Sequence, residues 1–289
     1  MILDSSLIIH FRPSNNHLYA GSVLQLFPSR AVAIDILGFG IHWYGLLYLA
    51  AFMLAWVLLP RLQRYRNLDL TSEEWADLLS WGVIGVVVGG RLGFVLFYEP
   101  SYFLDSPLRV FAVWEGGMSS HGGFLGVTLS LLWIVRKKGL PVLALADVIV
   151  VPVALGLMLG RLGNFINQEL YGTVTSLPWG ISIPGVEGLR HPTQLYAMLK
   201  DLVIAFACFA HLSLPGSTRG RTAAIFLILY GVLRFLLEYL RIQEYPLLPL
   251  PLFFSRGQLL TLPIVVVGVA LWWRTRVFSR HSHPSPPLR

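Results

Sequence analysis

The stretch VIVVPVALGLML at residues 148–159 is followed directly by GRLGNFINQELYG at residues 160–172. The first part has the composition of a helix that crosses a membrane. The second part places an arginine, two asparagines, a glutamine and a glutamate within ten residues. Such groups are costly in or beside a bilayer, so a cluster of them indicates a functional site.

The composition of the whole chain indicates a polytopic membrane protein. Of its 289 residues, 55% are hydrophobic and 13% are charged, whereas a soluble domain carries about 25% charged residues. The formal charge is +7, but the cations lie in short loops between apolar segments and form no single patch. We therefore expect no nucleic-acid partner. The single cysteine, Cys208, cannot form an intramolecular disulfide.

Seven apolar segments approach the roughly twenty residues that a membrane-spanning helix needs. They lie at about 38–59, 75–97, 119–135, 143–160, 195–214, 222–240 and 258–273. The sequence therefore predicts an all-α integral membrane fold with seven transmembrane helices, in one domain that covers residues 1–289.

The basic residues predict the orientation, because they follow the odd-numbered segments. These residues are Arg61, Arg64, Arg66, Arg136, Lys137, Lys138, Arg219, Arg221, Arg274, Arg276 and Arg280. The positive-inside rule then places the N-terminus outside and the C-terminus in the cytoplasm. Residues 1–36 would form an outer N-terminal segment and 274–289 a cytoplasmic tail. The loops 98–118, 161–194 and 241–257 would form a small region on the outer face.

Glycines recur at helical spacing on two of the segments and predict close helix packing. Gly82, Gly85, Gly89 and Gly93 form one such stripe, and Gly156 and Gly160 form another. The tetrapeptide Gly-Arg-Leu-Gly occurs twice, at 90–93 and 160–163. Four shared residues are too few to establish a duplication.

The sixth segment carries charges at a depth where they are costly. Tyr230, Arg234, Glu238 and Arg241 are spaced so that one helix would present them on one face. Glu238 can neutralise one arginine and leave the other for an anionic ligand. The alternative is a buried ion pair that only orients helices.

A histidine and a further polar group are expected on the same outer side. Ser120 is predicted as the N-cap of the third helix, which puts His121 in the first turn, where the helix dipole favours a neutral imidazole. Arg161 with Asn164 could bind a phosphate, or could merely cap its helix. His121 could likewise be structural.

Several reaction classes lack their motifs in this chain. The sequence has no GxxxxGK[ST] loop, no HExxH, no GxSxG and no dinucleotide-binding glycine motif. ATP hydrolysis, zinc-dependent proteolysis and serine esterase chemistry therefore have no support. Two arginines, one histidine and several amides instead suit an anionic phospholipid and a proton transfer.

The motifs resemble those of the bacterial prolipoprotein diacylglyceryl transferases. The matching pieces are HWYG at 42–45, GGRLG at 89–93, HGG at 121–123, residues 160–172, PWG at 178–180, HPTQLY at 191–196, and Tyr230, Gly231, Arg234, Phe235, Glu238 and Arg241. They run in the family's order from the first segment to the sixth.

The resemblance implies the activity: transfer of the diacylglyceryl group of phosphatidylglycerol to the lipobox cysteine of a preprolipoprotein. A thioether forms and glycerol phosphate leaves, in the first step of lipoprotein maturation at the bacterial inner membrane. No cofactor or metal is implied. His121, Arg161 and Arg234 match the essential residues. Those matching the phosphatidylglycerol-binding residues are Arg161, Tyr44, Asn164, Glu169, Gly172, Tyr230, Glu238 and Arg241.

The chain departs from the family pattern at two positions. Ala197 stands where the family usually has Glu after His-Pro-x-Gln-Leu-Tyr, and Arg256 stands where it has an apolar residue before Gly-Gln. A paralogue with altered substrate choice is therefore an open alternative. Another is a transporter or flippase for an anionic lipid or solute, which would bind it through the intramembrane arginines.

Overall fold

A computed structural model describes residues 32–36, 39–113, 117–242 and 254–281, and these residues are mostly helical. Two short strands come first, β1 (Val32–Ile36) and β2 (Phe39–His42). The helices are α1 (Trp43–Leu62), α2 (Ser72–Phe97), α3 (Pro100–Asp105), α4 (Ser120–Lys137), α5 (Val142–Ile166), α6 (Thr193–Leu212), α7 (Arg221–Leu237) and α8 (Arg256–His281). Turns of 3-10 helix cover Gln63–Arg66, Pro107–Phe111 and Glu238–Leu240.

Six helices within the described ranges are long and apolar enough to cross a membrane, so the chain has the composition of a multi-pass membrane protein. They are α1 with its 3-10 extension, α2, α5, α6, α7 with its 3-10 extension, and α8. The third predicted segment corresponds to α4, which is not among the six. Its 18 residues include SHGG in the first turn and two cations in the last. The predicted count of seven is therefore not confirmed.

The prediction of an all-α fold misses one antiparallel strand pair before the first helix. β1 and β2 pair with Ile34 opposite Ile41 and Asp35 opposite Gly40. The β-branched residues of β1 favour an extended backbone. The apolar residues Phe39 and Ile41 of β2 made residues 38–42 look like the start of a transmembrane helix, which begins instead at Trp43.

The glycine stripe on α2 packs closely against another helix, as predicted, and that helix is α4. A Cβ on Gly85 would lie 2.7 Å from the carbonyl oxygen of Gly126, and a Cβ on Gly93 would lie 2.8 Å from the Cα of Gly122. Real side chains do not tolerate such distances, so the two backbones need glycine in order to approach. The contacts run in opposite directions along the two helices, which are therefore antiparallel. The second predicted stripe does not pack in this way, because no other described helix or loop comes within 4 Å of a Cβ on Gly160.

A buried ion pair joins three segments at one end of the helices. Arg66 donates from Nε to Oδ2 of Asp147 at 2.7 Å and from Nη2 to Thr222 at 2.9 Å. Asp147 also accepts from the backbone N–H of Gly220 at 2.7 Å and of Ala223 at 2.8 Å. The end of α1 and the beginnings of α5 and α7 thus meet here. The beginning of α1 and the ends of α5 and α7 lie at the opposite end.

Candidate active site

The last turn of α5 and the loop after it hold a connected polar group. Because α5 continues to Ile166, Arg161 and Asn164 lie on one helical face, as predicted. Asn164 is buried and donates from Nδ2 to Glu169 at 2.6 Å and to the hydroxyl of Tyr44 at 3.1 Å. Arg161 donates from Nη1 to Oδ1 of Asn164 at 3.4 Å. Four of the predicted site residues therefore form one hydrogen-bonded group.

The segment after α5 has a strained backbone. Gln168 and Leu170 have φ values of 56° and 57°, in the left-handed region that side chains with a Cβ disfavour. The beginning of α6 holds this segment: Thr193 donates to the carbonyl of Leu170 at 2.7 Å, and Gln194 donates to that of Glu169 at 2.7 Å. Strain of about 1–3 kcal/mol for each such residue persists only where surrounding bonds impose it. These bonds fix the position of Glu169.

Gly172 contributes through its backbone. It forms an antiparallel bridge with Arg241, and Thr173 donates its N–H to the carbonyl of Leu240 at 3.0 Å. A Cβ on Gly172 would lie 2.7 Å from Cγ2 of Thr193. A side chain at this position would therefore separate Arg241 from the beginning of α6.

Glu238 lies between two arginines at the end of α7. Its Oε2 accepts from Arg234 and, at 3.4 Å, from Arg241, and its Oε1 accepts from Ser255 at 3.3 Å. The predicted ion pair is thus present, but the single helical face is not. The helix ends at Leu237, residues 238–240 form a 3-10 turn, and Arg241 is extended. Burial lowers the pKa of the Arg241 guanidinium, and the charge of Arg234 lowers it further.

One pocket brings three of the predicted arginines together. Arg161 from α5, Arg234 from α7 and Arg241 from the following segment all line it. The remaining lining residues are Leu170, Thr193, Gln194, Ala197, Lys200 and Leu237. Three guanidinium groups around one space favour an anion with several oxygen atoms, such as a phosphate.

Sequence reasoning missed three polar residues of this pocket, Thr193, Gln194 and Lys200. All three are buried on α6. Thr193 and Gln194 were recognised only as part of the HPTQLY motif. Lys200 could have been found by the argument that identified Arg234, since a cation within an apolar segment is costly.

Tyr230 and His121 complete the set of predicted site residues. The Nζ of Lys200 lies over the Tyr230 ring, 4.4 Å from the ring centroid. Tyr230 itself does not line the pocket. His121 lies in the first turn of α4, as predicted, although the N-cap is Ser119 and not Ser120. The side chain of His121 is outside the described residues, so its role stays a prediction. No three His, Cys, Asp or Glu side chains form a metal-binding group in the described ranges.

The chain is similar to proteins of one family along most of its length. The sequence model described as prolipoprotein diacylglyceryl transferase matches residues 31–274. Three curated relatives carry the name phosphatidylglycerol–prolipoprotein diacylglyceryl transferase. The protein of Polynucleobacter asymbioticus is 44% identical over 245 residues, which cover 83% of this chain and 93% of the relative.

The other two relatives give nearly the same values. The protein of Geobacter sulfurreducens is 44% identical over 231 residues, covering 80% of this chain and 89% of the relative. That of Vibrio atlanticus is 43% identical over 241 residues, covering 83% and 88%. The family match extends over the segments that carry the arginine-lined pocket. The chain belongs to the prolipoprotein diacylglyceryl transferase family.

Proposed function

We propose that this protein transfers the diacylglyceryl group of phosphatidylglycerol to the lipobox cysteine of a preprolipoprotein, the first step of lipoprotein maturation. The observation that carries this proposal is the pocket that Arg161, Arg234 and Arg241 line in a chain of this family. Phosphatidylglycerol offers the anionic phosphate that such a pocket favours. The alternative that the protein is a transporter or flippase has no comparable support, because the curated relatives are named as transferases.

In the proposed reaction the cysteine sulfur attacks the glyceryl carbon next to the phosphate. The S–C bond forms, the C–O bond to the phosphate breaks, and its electron pair remains on the phosphate oxygen of the departing glycerol phosphate. A thiol with a pKa of about 8.5 must lose its proton to become nucleophilic. His121 accepts that proton, because the N-terminal turn of a helix favours a neutral imidazole. Arg161 and Arg234 hold the phosphate as its charge increases.

The other predicted site residues support these two arginines. Asn164, together with Tyr44 and Glu169, orients the guanidinium of Arg161 through the hydrogen bonds described above. Glu238 fixes Arg234 and leaves part of the positive charge of the arginine pair for the lipid. Arg241 is the third phosphate-facing cation.

Gly172 and Tyr230 contribute less directly to the proposed lipid site. Gly172 permits the backbone bridge that brings Arg241 close. Tyr230 contacts Lys200 at the pocket. Neither contribution needs a direct contact with phosphatidylglycerol.

We further propose seven membrane spans in the bacterial inner membrane, with α4 as the third. The antiparallel packing of α4 along α2 supports this count. The N-terminus is outside, the C-terminus is cytoplasmic, and the arginine-lined pocket is toward the outer face. The basic residues that follow the odd-numbered segments support this orientation.

Labelling in intact cells tests the orientation, because Cys208 is fully buried and should give little background. Leu108 and Leu214 are both exposed. The proposed orientation places Leu108 outside the membrane and Leu214 on its cytoplasmic side. A membrane-impermeant maleimide should label Leu108→Cys directly and Leu214→Cys only after the cells are opened. The reverse pattern would contradict the proposed orientation.

The activity is tested with purified protein in phosphatidylglycerol vesicles and a synthetic lipobox peptide. The peptide should gain the mass of one diacylglyceryl group, and a peptide with serine in place of the cysteine should gain nothing. The same vesicles report movement of labelled phosphatidylglycerol between leaflets. Lipid movement without any change of peptide mass would remove the transferase proposal.

A further inference from the structure

Lys200 is a buried cation, and the proposed reaction gives it no role that offsets the free-energy cost of burying its charge. It lies in the second turn of α6, is 6% exposed and lines the same pocket as Arg161, Arg234 and Arg241. A lysine inside an apolar membrane segment is costly unless it is paired or serves a ligand. Only one acceptor contacts it within the described ranges, the Oδ1 of Asp201. An ammonium group has three donor hydrogens, so two are available to a ligand in the pocket.

The surroundings of Lys200 leave its charge directed at the pocket. Asp201 is completely buried and does not line the pocket. It therefore neutralises Lys200 from behind and does not occupy the ligand space. The face of the Tyr230 ring lies 4.4 Å from Nζ, where a ring stabilises a cation but accepts no strong hydrogen bond.

The residue one turn earlier changes the charge of this pocket. Ala197 lies three residues before Lys200 on the same helical face and also lines the pocket. The pattern that the sequence resembles usually has Glu at this position, whereas this chain has a methyl group. The pocket of this chain thus has four cations on its wall and, in its lining, no carboxylate.

We propose that Lys200 is a phosphate-binding residue that favours a doubly charged phosphate. This inference rests on the proposed transferase function and deepens it. Phosphatidylglycerol is a phosphodiester with one negative charge. When the C–O bond breaks, its electron pair stays on the leaving group, and glycerol phosphate becomes a monoester with a second pKa of about 6. A fourth cation is therefore worth more to the departing group than to the bound lipid, and it should increase kcat more than it lowers KM.

The central test compares the unchanged protein with Lys200→Met combined with Asp201→Asn, which removes both charges and leaves no unpaired buried carboxylate. We expect kcat for transfer to fall on the order of tenfold, while KM for phosphatidylglycerol changes less than about twofold. Affinity for glycerol phosphate, measured without lipid or peptide, should rise from pH 5 to pH 8 in the unchanged protein. In the double variant, the factor by which this affinity increases between pH 5 and pH 8 should be on the order of tenfold smaller.

A matched pair at position 197 tests charge without touching the buried ion pair. Ala197→Glu adds a carboxylate to the pocket, and Ala197→Gln adds nearly the same volume without charge. Glycerol phosphate should bind on the order of tenfold more weakly to the first variant than to the second. Equal binding by these two variants would overturn the inference.

Two further outcomes separate the inference from the proposed function. If the double variant keeps the kcat and the pH-dependent binding of the unchanged protein, the lysine is only half of a structural ion pair and the inference fails, while the transferase function stands. If the unchanged protein modifies no peptide, the transferase proposal fails, and the inference fails with it as a statement about the leaving group. The binding data then still report which phosphate the pocket prefers.

Discussion

The two copies of Gly-Arg-Leu-Gly place their arginines in opposite situations. Arg91 is buried and donates to three backbone carbonyls, those of Val110 at 2.9 Å, Gly117 at 3.1 Å and Arg109 at 2.6 Å. Arg161 makes one hydrogen bond within the described residues, the 3.4 Å contact with Asn164, and lines the pocket. The same tetrapeptide thus holds a loop in one place and presents a cation to a ligand in the other. The nearby carbonyls, and not the motif, decide which role the arginine takes.

The glycines of the two copies differ in the same sense. Gly93 lies against the backbone of Gly122. At the matching Gly163, an added Cβ would instead lie 3.0 Å from the ring of Tyr44. Gly160 faces space that no other helix or loop of the described ranges fills. The copy on α2 is therefore built for helix contact, and the copy on α5 leaves room beside the polar group.

Among the substitutions that test this comparison, Arg161→Gln should have the largest effect on transfer. We expect kcat/KM for transfer to fall on the order of 10²–10³-fold, the cost of removing one donor to a developing negative charge. The free energy of unfolding should change by less than about 0.5 kcal/mol, since one long hydrogen bond is lost. Peptide mass spectrometry and thermal unfolding in detergent measure the two quantities. Strong destabilisation with normal transfer by the folded protein would show that Arg161 is structural after all.

Arg91→Gln should show the opposite pattern. Three carbonyls lose their donors, at about 1 kcal/mol each, so the protein should be about 3 kcal/mol less stable. Transfer per folded molecule, measured below the unfolding transition, should remain within about threefold, because Arg91 does not line the pocket. Loss of transfer without loss of stability would mean that the two copies are functionally equivalent, and the comparison would fail.

The sequence predicted well which residues share a helical face. It predicted poorly which partners surround each side chain. Arg161 and Asn164 were placed together because helical spacing depends on residue number alone. Arg91 could not be told from Arg161, since its three carbonyl partners lie 18 to 26 residues further along the chain. Arg66 was counted as a loop cation that orients the protein, yet it is 3% exposed and paired with Asp147. Such pairings depend on tertiary contacts that a hydropathy pattern does not contain.

Gly93→Ala tests the contact between α2 and α4. The added methyl would lie 2.8 Å from the Cα of Gly122, so one backbone must move. Overpacking of this kind costs about 2 kcal/mol of stability. Gly123→Ala is the matched control on the facing helix, because its nearest neighbour would be 3.6 Å away. Equal stability of the two variants would show that the helices do not approach as closely as described.

Gly160→Ala should have the smallest effect and is the sharpest test of the space beside Arg161. In the part of the chain that the structure describes, nothing outside the adjacent turns of α5 lies within 4 Å of the added methyl, and alanine in a helix is favoured over glycine by about 0.5–1 kcal/mol. The variant should therefore be slightly more stable in detergent, and its transfer rate should stay within about twofold of the unchanged protein. A lower rate at unchanged or higher stability would contradict this expectation. Because the described residues leave that space open, such a result would favour a bound substrate as its occupant.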